Sequence, residues 1–347
     1  MNISKISSVL NDGVKDKIFP GAVLSVSVDG AFPYQTAVGN FSYDQNNPVV
    51  SLTTIFDIAS VTKPIVATVA LKLIKTGKIK LDGIVGEYIS QLTGTNVGSN
   101  ITVWHLLTHT SSINLQMSSL TGDSVSKEVF INAMVTYNEK LNPGTHVEYA
   151  NVNTFLLGEI IATVSGIPLD VFIKREITGP LEMVDTIFNP PVNVAERIAP
   201  TEIVNNETIR GVVHDPSARK IGGIAGHAGL FSTVSDLDNF LTMWTEGGMF
   251  KGKQLLDKDI IYQALVNQTP RLNKASCLGW HMDNPEYLGR LTPKGMFFHP
   301  GFTGTIIAGS ISQKCRIIFL SNCTFPHREN LHMKNQFLKK LFDAIFG

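Results

Sequence analysis

The chain has 347 residues, enough for two domains or one large one; 43% of them are hydrophobic and 17% are charged. This composition supports a sizeable buried core and argues against long disordered segments. The formal net charge is zero and no lysine- or arginine-rich cluster occurs, so the sequence offers no basic surface for nucleic acid or an anionic membrane.

The cysteines and the N-terminus bear on the compartment. Cys277, Cys315 and Cys323 are too few for a disulfide framework and lack the spacing of a zinc site, so we expect buried or idle thiols. The first residues show no charged segment followed by an apolar run, and no stretch of about 18 apolar residues occurs. We therefore expect no signal peptide, no membrane span and a cytoplasmic location, unless a signal has been trimmed from the chain.

The opening of the chain predicts a helix and then two antiparallel strands. Residues 3–18 place apolar side chains on one helical face, and Phe19-Pro20-Gly21 ends that helix. Residues 22–28 alternate apolar and polar side chains, as a half-buried strand does. Asp29-Gly30 is a hairpin-turn signal, and a second strand is expected at residues 34–39.

The next helix begins around the segment Asp57-Ile58-Ala59-Ser60-Val61-Thr62-Lys63-Pro64, and apolar residues continue it to Thr76-Gly77. Positions i and i+3 share one face of a helix, so the Ser60 hydroxyl and the Lys63 amine would point the same way. A helix N-terminus adds unpaired N–H groups and a partial positive charge. This arrangement could activate a serine, although a lone Ser-x-x-Lys spacing occurs by chance in most proteins of this size.

Helical patterns and long loops dominate the middle of the chain. Helices are predicted at residues 129–135, 153–164 and 169–177. Residues 192–219 are expected to be a loop with scattered short apolar runs. The glycine-rich run at residues 222–229 lacks the spacing of a nucleotide-binding loop, so its glycines are expected to serve close backbone contacts.

After the glycine-rich run, Ser235-Asp236-Leu237-Asp238 is expected to cap a helix that runs to Glu246. The last hundred residues then return to strands. Further elements are predicted as strands at 296–299, 305–310 and 315–321 and an amphipathic helix at 331–346. The sequence therefore predicts an α+β fold, with a central antiparallel sheet flanked by N- and C-terminal helices and a mostly helical inserted region. We expect residues 1–80 and 226–347 to form the sheet domain and residues 81–225 to form the insertion, in one unit overall.

Two further motifs change the reading of Ser60 and Lys63. Tyr149-Ala150-Asn151 stands at the start of a predicted helix, and His299-Pro300-Gly301-Phe302-Thr303-Gly304-Thr305 joins two predicted strands. In this order and at these separations the chain resembles the serine β-lactamase and penicillin-binding-protein superfamily, in its class C branch. That branch also holds DD-peptidases, DD-aminopeptidases, carboxylesterases and peptidoglycan amidases. Other segments that resemble the family are Phe19-Pro20-Gly21-Ala22, Leu106-Leu107-Thr108-His109-Thr110-Ser111 and Ala225-Gly226-His227-Ala228-Gly229-Leu230-Phe231-Ser232-Thr233.

The resemblance implies a role for each matching residue. Ser60 would be the nucleophile that forms an acyl-enzyme. Lys63 would lie between Ser60 and Tyr149 and, as a cation, lower the pKa of the Tyr149 phenol, so either Tyr149 or a neutral Lys63 would take the serine proton. Asn151 would donate to a substrate carbonyl and hold Lys63 in place. The backbone N–H groups of Ser60 and Phe302 would form the oxyanion hole.

The third motif departs from the β-lactamase pattern, in which Lys-Thr-Gly is usual. His299 replaces a permanent cation by a group that is mostly neutral at pH 7, so anchoring of a β-lactam carboxylate is in doubt. Pro300 lacks a backbone N–H, which suits an edge strand lining a cleft. With Gly301 and Phe302, His299 would form the substrate-binding wall. We expect β-lactamase activity to be weak or absent, and an amide or ester in a cell-wall-derived peptide or muropeptide to be the substrate.

Several alternatives remain at this point. The chain could be a small-ester carboxylesterase, or a penicillin-binding sensor that is acylated without turnover. His214, Asp215 and His227 invite a metallohydrolase interpretation, but their spacing matches no known ligand pattern, and structural loop histidines are the simpler expectation. The same segments resemble the family subset that acts on cell-wall fragments. We expect no cofactor and no metal; the sequence leaves the exact substrate and the oligomeric state open.

Overall fold

The computed structural model describes residues 1–120 and 126–347. Its longer helices match the sequence pattern closely, including the last one, which was predicted at residues 331–346. The α-helices are α1 (Ile3–Lys15), α2 (Thr62–Lys75), α3 (Val85–Tyr88), α4 (Asn96–Asn100), α5 (Val103–Thr108), α6 (Lys127–Val135), α7 (Asn151–Ser165), α8 (Leu169–Ile173), α9 (Pro216–Lys220), α10 (Val234–Thr245), α11 (Lys258–Leu265), α12 (Pro285–Leu288) and α13 (Leu331–Phe346).

The strands build one large antiparallel sheet and three small ones. They are β1 (Gly21–Ser27), β2 (Tyr34–Gly39), β3 (Phe56–Asp57), β4 (Ile187–Phe188), β5 (Glu202–Val204), β6 (Glu207–Ile209), β7 (Leu230–Ser232), β8 (Met249–Phe250), β9 (Lys253–Gln254), β10 (His281–Met282), β11 (Phe297–Pro300), β12 (Ile306–Ser310) and β13 (Cys315–Ser321). The large sheet has the order β10-β11-β12-β13-β1-β2, and its neighbouring strands are antiparallel.

The two ends of the chain meet in the middle of this sheet. Strand β1 pairs with β13 in a register that runs from Ala22 opposite Ser321 to Ser27 opposite Arg316. Side chains alternate between the two faces of a strand, so β1 sends neighbouring residues into two different cores. This arrangement confirms the predicted α+β class with a central antiparallel sheet. The division at residues 80 and 225 stays a prediction.

One face of the sheet is covered by the first and last helices. Ile6 and Leu10 of α1 and Leu338 and Phe342 of α13 pack with Leu24 of β1 in one apolar cluster. The opposite face packs against α10, and α2 and α7 belong to the same larger cluster. Burial of a large apolar side chain stabilises a fold by about 1.5–3 kcal/mol, so these two layers dominate the free energy of folding. The layers fix the sheet edge on which the third motif lies.

The segment at residues 192–219, predicted to be a loop, contains regular structure. A short hairpin joins β5 to β6 through Asn205 and Asn206, whose φ angles are 51° and 65°. Asparagine tolerates this left-handed conformation, and two such residues form the tight turn that suits a hairpin. The Asn-Asn pair was the signal that the sequence analysis missed.

The cap of α10 also differs from the prediction. Thr233, and not Ser235, precedes the helix, and its hydroxyl accepts a hydrogen bond from the N–H of Asp236 at 3.4 Å.

No single helix in the described ranges combines the length and apolar character needed to cross a bilayer. One pair of helices, Asn151–Ser165 and Leu169–Thr178, has the required length and apolar character only when the two are taken together, and the pair is bent by 80°.

Candidate active site

Ser60 sits on a strained turn between β3 and α2. Ala59 takes the left-handed conformation with φ at 47°, a conformation that costs about 1–3 kcal/mol for a residue other than glycine. The buried Asp57 carboxylate holds this turn by accepting the N–H of Ala59 at 2.8 Å and the N–H of His214 at 2.7 Å. Burial raises the pKa of Asp57 to about 6, although these two N–H groups oppose the shift. The turn therefore presents Ser60 at a fixed point.

Lys63 is 1% exposed, and its amine lies at the centre of the site. Its Nζ is 2.9 Å from Ser60 Oγ, 3.0 Å from Asn151 Oδ1 and 2.9 Å from the carbonyl oxygen of His227. Burial lowers the pKa of Lys63 to about 7, against the opposing charge of Asp215. A large fraction of Lys63 is therefore neutral at pH 7.

The hydrogen-bond partners orient a neutral Lys63 amine. The two carbonyl oxygens, from Asn151 and His227, can only accept hydrogen bonds. They take both amine hydrogens, which leaves the nitrogen lone pair facing the Ser60 hydroxyl. The sequence predicted that Ser60 and Lys63 would be neighbours, and the structure brings them together.

Tyr149 lies on the loop before α7, and its ring centroid is 4.9 Å from Lys63 Nζ. The prediction that Lys63 lowers the pKa of this phenol is wrong. Although 44% of Tyr149 is exposed in the open cleft, the surrounding protein raises the pKa of the phenol by desolvation. A hydrogen bond with Ser60 lowers it in part, and the charge of Asp215 raises it further. Tyr149 is therefore protonated at neutral pH. The positive charge that was expected on Lys63 is reduced, because burial lowers the pKa of the Lys63 amine.

His299, on β11, is 2% exposed. Its Nδ1 lies 2.9 Å from the carbonyl oxygen of Pro300, and because a carbonyl only accepts, the ring proton is assigned to Nδ1. Strand β10 pairs with β11 only at Phe297 and Phe298, so Pro300 extends past the end of its outer neighbour. This is the edge position that the missing N–H of proline predicts.

The third motif is hydrogen-bonded directly to the turn that precedes Ser60. Gly301 comes so close to it that a Cβ atom there would be 2.6 Å from the carbonyl oxygen of Ile58. Glycine is therefore required for this approach. The hydroxyl of Thr303 donates to the carbonyl oxygen of Asp57 at 2.7 Å, and that of Thr305 donates to Ile58 at 3.2 Å. These bonds fix the distance between Ser60 and the loop of Phe302.

Three imidazoles surround the Tyr149 ring. Its centroid is 4.8 Å from that of His109, 5.7 Å from that of His281 and 6.0 Å from that of His299. Burial lowers the pKa of each histidine, to about 4 for His281 and well below the usual value for the other two, and neighbouring charges add to the shift. This wall of the site is therefore uncharged at pH 7. The sequence analysis named His109 only within a segment that resembles the family, and it missed His281, which no motif marks.

Asn151 is held from two sides. Its Oδ1 accepts a hydrogen bond from Lys63, while its Nδ2 donates to Asp215 Oδ2 at 3.3 Å. The contact with Lys63 is the one that the sequence predicted. The predicted donation to a substrate carbonyl would use the second hydrogen of the amide and stays a prediction.

The residues of the metal interpretation separate in the structure. Asp215 and His227 lie together, with His227 Nε2 3.3 Å from Asp215 Oδ1. The His214 ring instead stacks on Phe302, with centroids 5.4 Å apart, and its Nε2 lies 3.0 Å from Glu202 without the alignment of a hydrogen bond. Within residues 1–120 and 126–347, no three His, Cys, Asp or Glu side chains converge as metal ligands.

A cleft of about 240 Å³ opens in front of Ser60, and Tyr149, His281, Phe302 and Lys334 are among the residues that line it. Lys334, on α13, is half-buried and donates to the carbonyl oxygen of Gly301 at 3.2 Å. Burial lowers the pKa of its amine. The sequence analysis missed Lys334, because it is one of several lysines in an amphipathic helix.

Comparisons with known proteins identify the family of the chain. A family model described as Beta-lactamase matches residues 6–337. A protein of Escherichia coli O157:H7 named "Putative D-alanyl-D-alanine carboxypeptidase" is 28% identical over 346 residues, which cover 88% of this chain and 79% of that protein.

Solved structures show the same fold. EstCE1, described as a hydrolase with promiscuous acyltransferase activity, superposes with a TM-score of 0.80 at 18% identity and covers 99% of this chain and 98% of its own. A β-lactamase/D-alanine carboxypeptidase of Pseudomonas syringae gives 0.79 at 18% identity, with 98% of each chain covered. At these identities the likeness establishes the fold alone.

Proposed function

The chain belongs to the β-lactamase family and is a serine hydrolase, and we propose that it acts through an acyl-enzyme on Ser60 without a metal ion. The observation that supports this most directly is the buried Lys63 amine, 2.9 Å from the Ser60 hydroxyl. A serine is a weak nucleophile until a neighbouring base takes its proton. A lysine with a pKa of about 7 meets that requirement at neutral pH.

Lys63 is the general base in this proposal, and Tyr149 is a protonated partner. Lys63 Nζ accepts the proton of Ser60 while Oγ forms a bond to the substrate carbonyl carbon. As the bond from that carbon to the leaving nitrogen or oxygen breaks, the Tyr149 phenol gives its proton to the leaving group and takes the proton held by Lys63. Water next attacks the acyl-serine ester and gives a proton to Lys63; the bond between the acyl carbon and Oγ breaks, Oγ takes that proton back, and the acid product leaves. The sequence left the choice between the two bases open, and the raised pKa of the phenol argues against Tyr149.

The oxyanion of the tetrahedral intermediate would be bound by the backbone N–H groups of Ser60 and Phe302. Such donors act where negative charge develops, and loss of one lowers the rate by about 10²–10³. The close contact between Gly301 and the turn of Ser60 supports this assignment, because it holds the two N–H groups on one rigid unit. Asn151 and His299 would line the path of the substrate.

The substrate proposed is a peptide or muropeptide derived from the cell wall, cleaved at an amide or ester. The relative from Escherichia coli O157:H7 is named "Putative D-alanyl-D-alanine carboxypeptidase". Lys334 supplies a cation at the cleft that suits a terminal carboxylate. The neutral wall formed by His109, His281 and His299 favours a second candidate, a carboxylesterase for small uncharged esters.

A panel assay with a Ser60→Ala control tests these proposals. The panel contains a muropeptide, a D-alanyl peptide, p-nitrophenyl acetate and nitrocefin. We expect turnover of the first three at differing rates, little turnover of nitrocefin, and loss of all of it in Ser60→Ala. Equal activity of both proteins would contradict the nucleophile assignment. A lasting adduct of fluorescent penicillin on Ser60, seen by intact mass without peptide turnover, would instead indicate a sensor.

A further inference from the structure

A buried polar cluster lies behind Lys63, on the side away from the cleft. It consists of Asp215, Ser217 and His227, which the sequence analysis singled out only as a possible metal site or structural loop. Ser217 Oγ donates to Asp215 Oδ1 at 2.5 Å. His227 is fully buried, and its Nε2 lies 2.9 Å from Ser217 Oγ and 3.3 Å from Asp215 Oδ1. Since a carboxylate only accepts, we assign the ring proton of His227 to Nε2.

The cluster supports two of the three hydrogen bonds that Lys63 makes. Asp215 Oδ2 accepts from Asn151 Nδ2 at 3.3 Å, so the amide must turn its oxygen toward Lys63, where it accepts at 3.0 Å. The carbonyl oxygen of His227 accepts the other hydrogen of Lys63 at 2.9 Å. The orientation of the Lys63 lone pair toward Ser60 therefore depends on this cluster.

Local sequence holds the cluster in place. Asp215 is the N-cap of α9 and accepts the N–H of Ala218 at 2.9 Å. Gly226 packs against α7 so closely that a Cβ atom there would be 2.0 Å from the carbonyl oxygen of Thr154. This approach brings the backbone of His227 to the start of α7, next to Asn151. Gly226 of the glycine-rich run therefore positions the His227 carbonyl that contacts Lys63.

Asp215 is the anion among the groups that face Lys63. Although burial acts to raise it, hydrogen bonds from His227, Ser217 and the Ala218 N–H hold the pKa of Asp215 well below its usual value. Burial lowers the pKa of the neighbouring histidines and raises that of the phenol, so these groups are neutral at pH 7. The titratable groups around Lys63 are Asp215, His227, Tyr149, His109, His281 and His299.

We propose that Asp215 is a positioning residue that orients the Lys63 amine through Asn151 and His227 and serves as the counter-ion when Lys63 takes the Ser60 proton. The proposal rests on the function proposed above. Proton transfer turns a buried amine into an ammonium ion, and a buried cation without an anion nearby is strongly disfavoured. In the described part of the chain Asp215 is the carboxylate whose charge acts on Lys63.

The test compares phosphonylation of Ser60 by a fluorophosphonate, in which Oγ bonds to phosphorus and fluoride leaves, followed by intact mass in wild type and Asp215→Asn across pH 5–9. The phosphonylation rate rises with pH as Lys63 loses its proton. Removing the negative charge lowers the pKa of Lys63, so the midpoint of this rise should move to lower pH by ~1 unit, on the scale of one charge acting through partly buried protein. The plateau rate should fall about tenfold, because a weaker base accepts the proton less readily.

Control variants separate charge from fold. Asp215→Glu restores the anion and should return the midpoint toward wild type, while Ser217→Ala keeps the charge and should leave the midpoint in place. If Asp215→Asn does not fold, as judged by circular dichroism, Asp215→Ser keeps an N-cap side chain for α9 and replaces it in the test. An unshifted midpoint in the neutral variant would overturn the proposal. No Ser60 adduct in wild type would instead refute the proposed function.

Discussion

The loop that carries Phe302 is held from behind by Glu202, and Glu202→Gln tests whether that support matters for catalysis. Arg328 Nε and Nη2 donate to the two oxygens of Glu202 at 2.6 and 2.8 Å. The Arg328 guanidinium lies 5.4 Å from the centroid of the Phe302 ring, and the His214 ring stacks on the same side chain. Glu202 thus fixes Arg328 and lies beside His214, and both of these residues contact the residue proposed to supply an oxyanion N–H.

The magnitude follows from these contacts. A glutamine can accept at only one atom and presents its amide hydrogens to the guanidinium, so one of the two bonds is lost and the other weakens. Hydrogen bonds to charged groups contribute about 1.5–3 kcal/mol, and the partial exposure of the Arg328 side chain, 43%, places this pair at or below the low end. We expect a loss of about 1–2 kcal/mol in the free energy of unfolding. A displaced rather than absent N–H of Phe302 should lower the acylation rate about tenfold.

The assay is single-turnover acylation of Ser60 by p-nitrophenyl acetate at 25 °C, together with urea unfolding. Glu182→Gln is the matched control, because Glu182 pairs with Lys251 on the surface, where both side chains are more than half exposed. Exposed pairs contribute about 0–1 kcal/mol, so neither stability nor acylation should change much in that variant. If Glu202→Gln is destabilised as expected but is acylated within twofold of the wild-type rate, Glu202 does not position the Phe302 loop for catalysis.

Two further predictions concern the buried groups of the site. Lys63→Met should lower acylation by about 10²–10⁴, the usual contribution of a general base, with unfolding in urea changed little because the removed amine is itself costly to bury. A large loss of stability in that variant would instead assign Lys63 a structural role. The pKa of His281 is about 4 when folded and near 6.5 when unfolded, so its contribution to stability is present above pH 6.5 and is lost as the pH falls toward 4. His281→Gln should reduce this acid-induced loss in the free energy of unfolding by up to about 3 kcal/mol between pH 7 and pH 4, measured by urea unfolding. If both proteins lose the same free energy of unfolding, His281 is not held neutral in the folded protein.

Local sequence was sufficient to predict that Ser60 and Lys63 are neighbours, whereas the hypothesis that Ser60 is a nucleophile also needed Tyr149, Asn151 and the His299 motif. Ser60 and Lys63 are three residues apart, so helical geometry alone brings them to one face, and the structure agrees. The central sheet was also predictable, because alternation in residues 22–28 and a β-rich apolar run in residues 315–321 mark strands that must bury one or both faces. The pairing of those two segments followed from the placement of strands at both ends of the chain.

The charge state of the site could not be predicted in this way. The sequence places a cation beside Tyr149, which by itself lowers the pKa of a phenol. Burial acts on both groups at once, and it lowers the pKa of Lys63 while raising that of Tyr149. Desolvation depends on the packing of the whole chain around a residue, and no local motif encodes it. The proposal that Lys63, rather than Tyr149, is the base therefore depends on the structure.

Long-range contacts were hidden for a related reason. Asp215 meets Asn151 across 64 positions of sequence. His281 stands on a two-residue strand that carries no pattern of its own, yet its ring is 5.0 Å from that of His299. Each residue is an ordinary polar side chain in its local segment. Their functional meaning comes from the sheet edge and the start of α7, which bring them to Lys63 and Tyr149.

Lys334 changes what the third motif implies about binding of a substrate carboxylate. His299 stands where a lysine is usual and is neutral, which by itself would leave the cleft without a cation for a substrate carboxylate. Lys334 enters the same cleft from α13, 35 positions later in the sequence, and donates to the carbonyl oxygen of Gly301. The cleft therefore contains a lysine, on a different element from the third motif. The selectivity against β-lactams that we predict would then have to come from where the carboxylate binds relative to Ser60, and not from the absence of a positive charge.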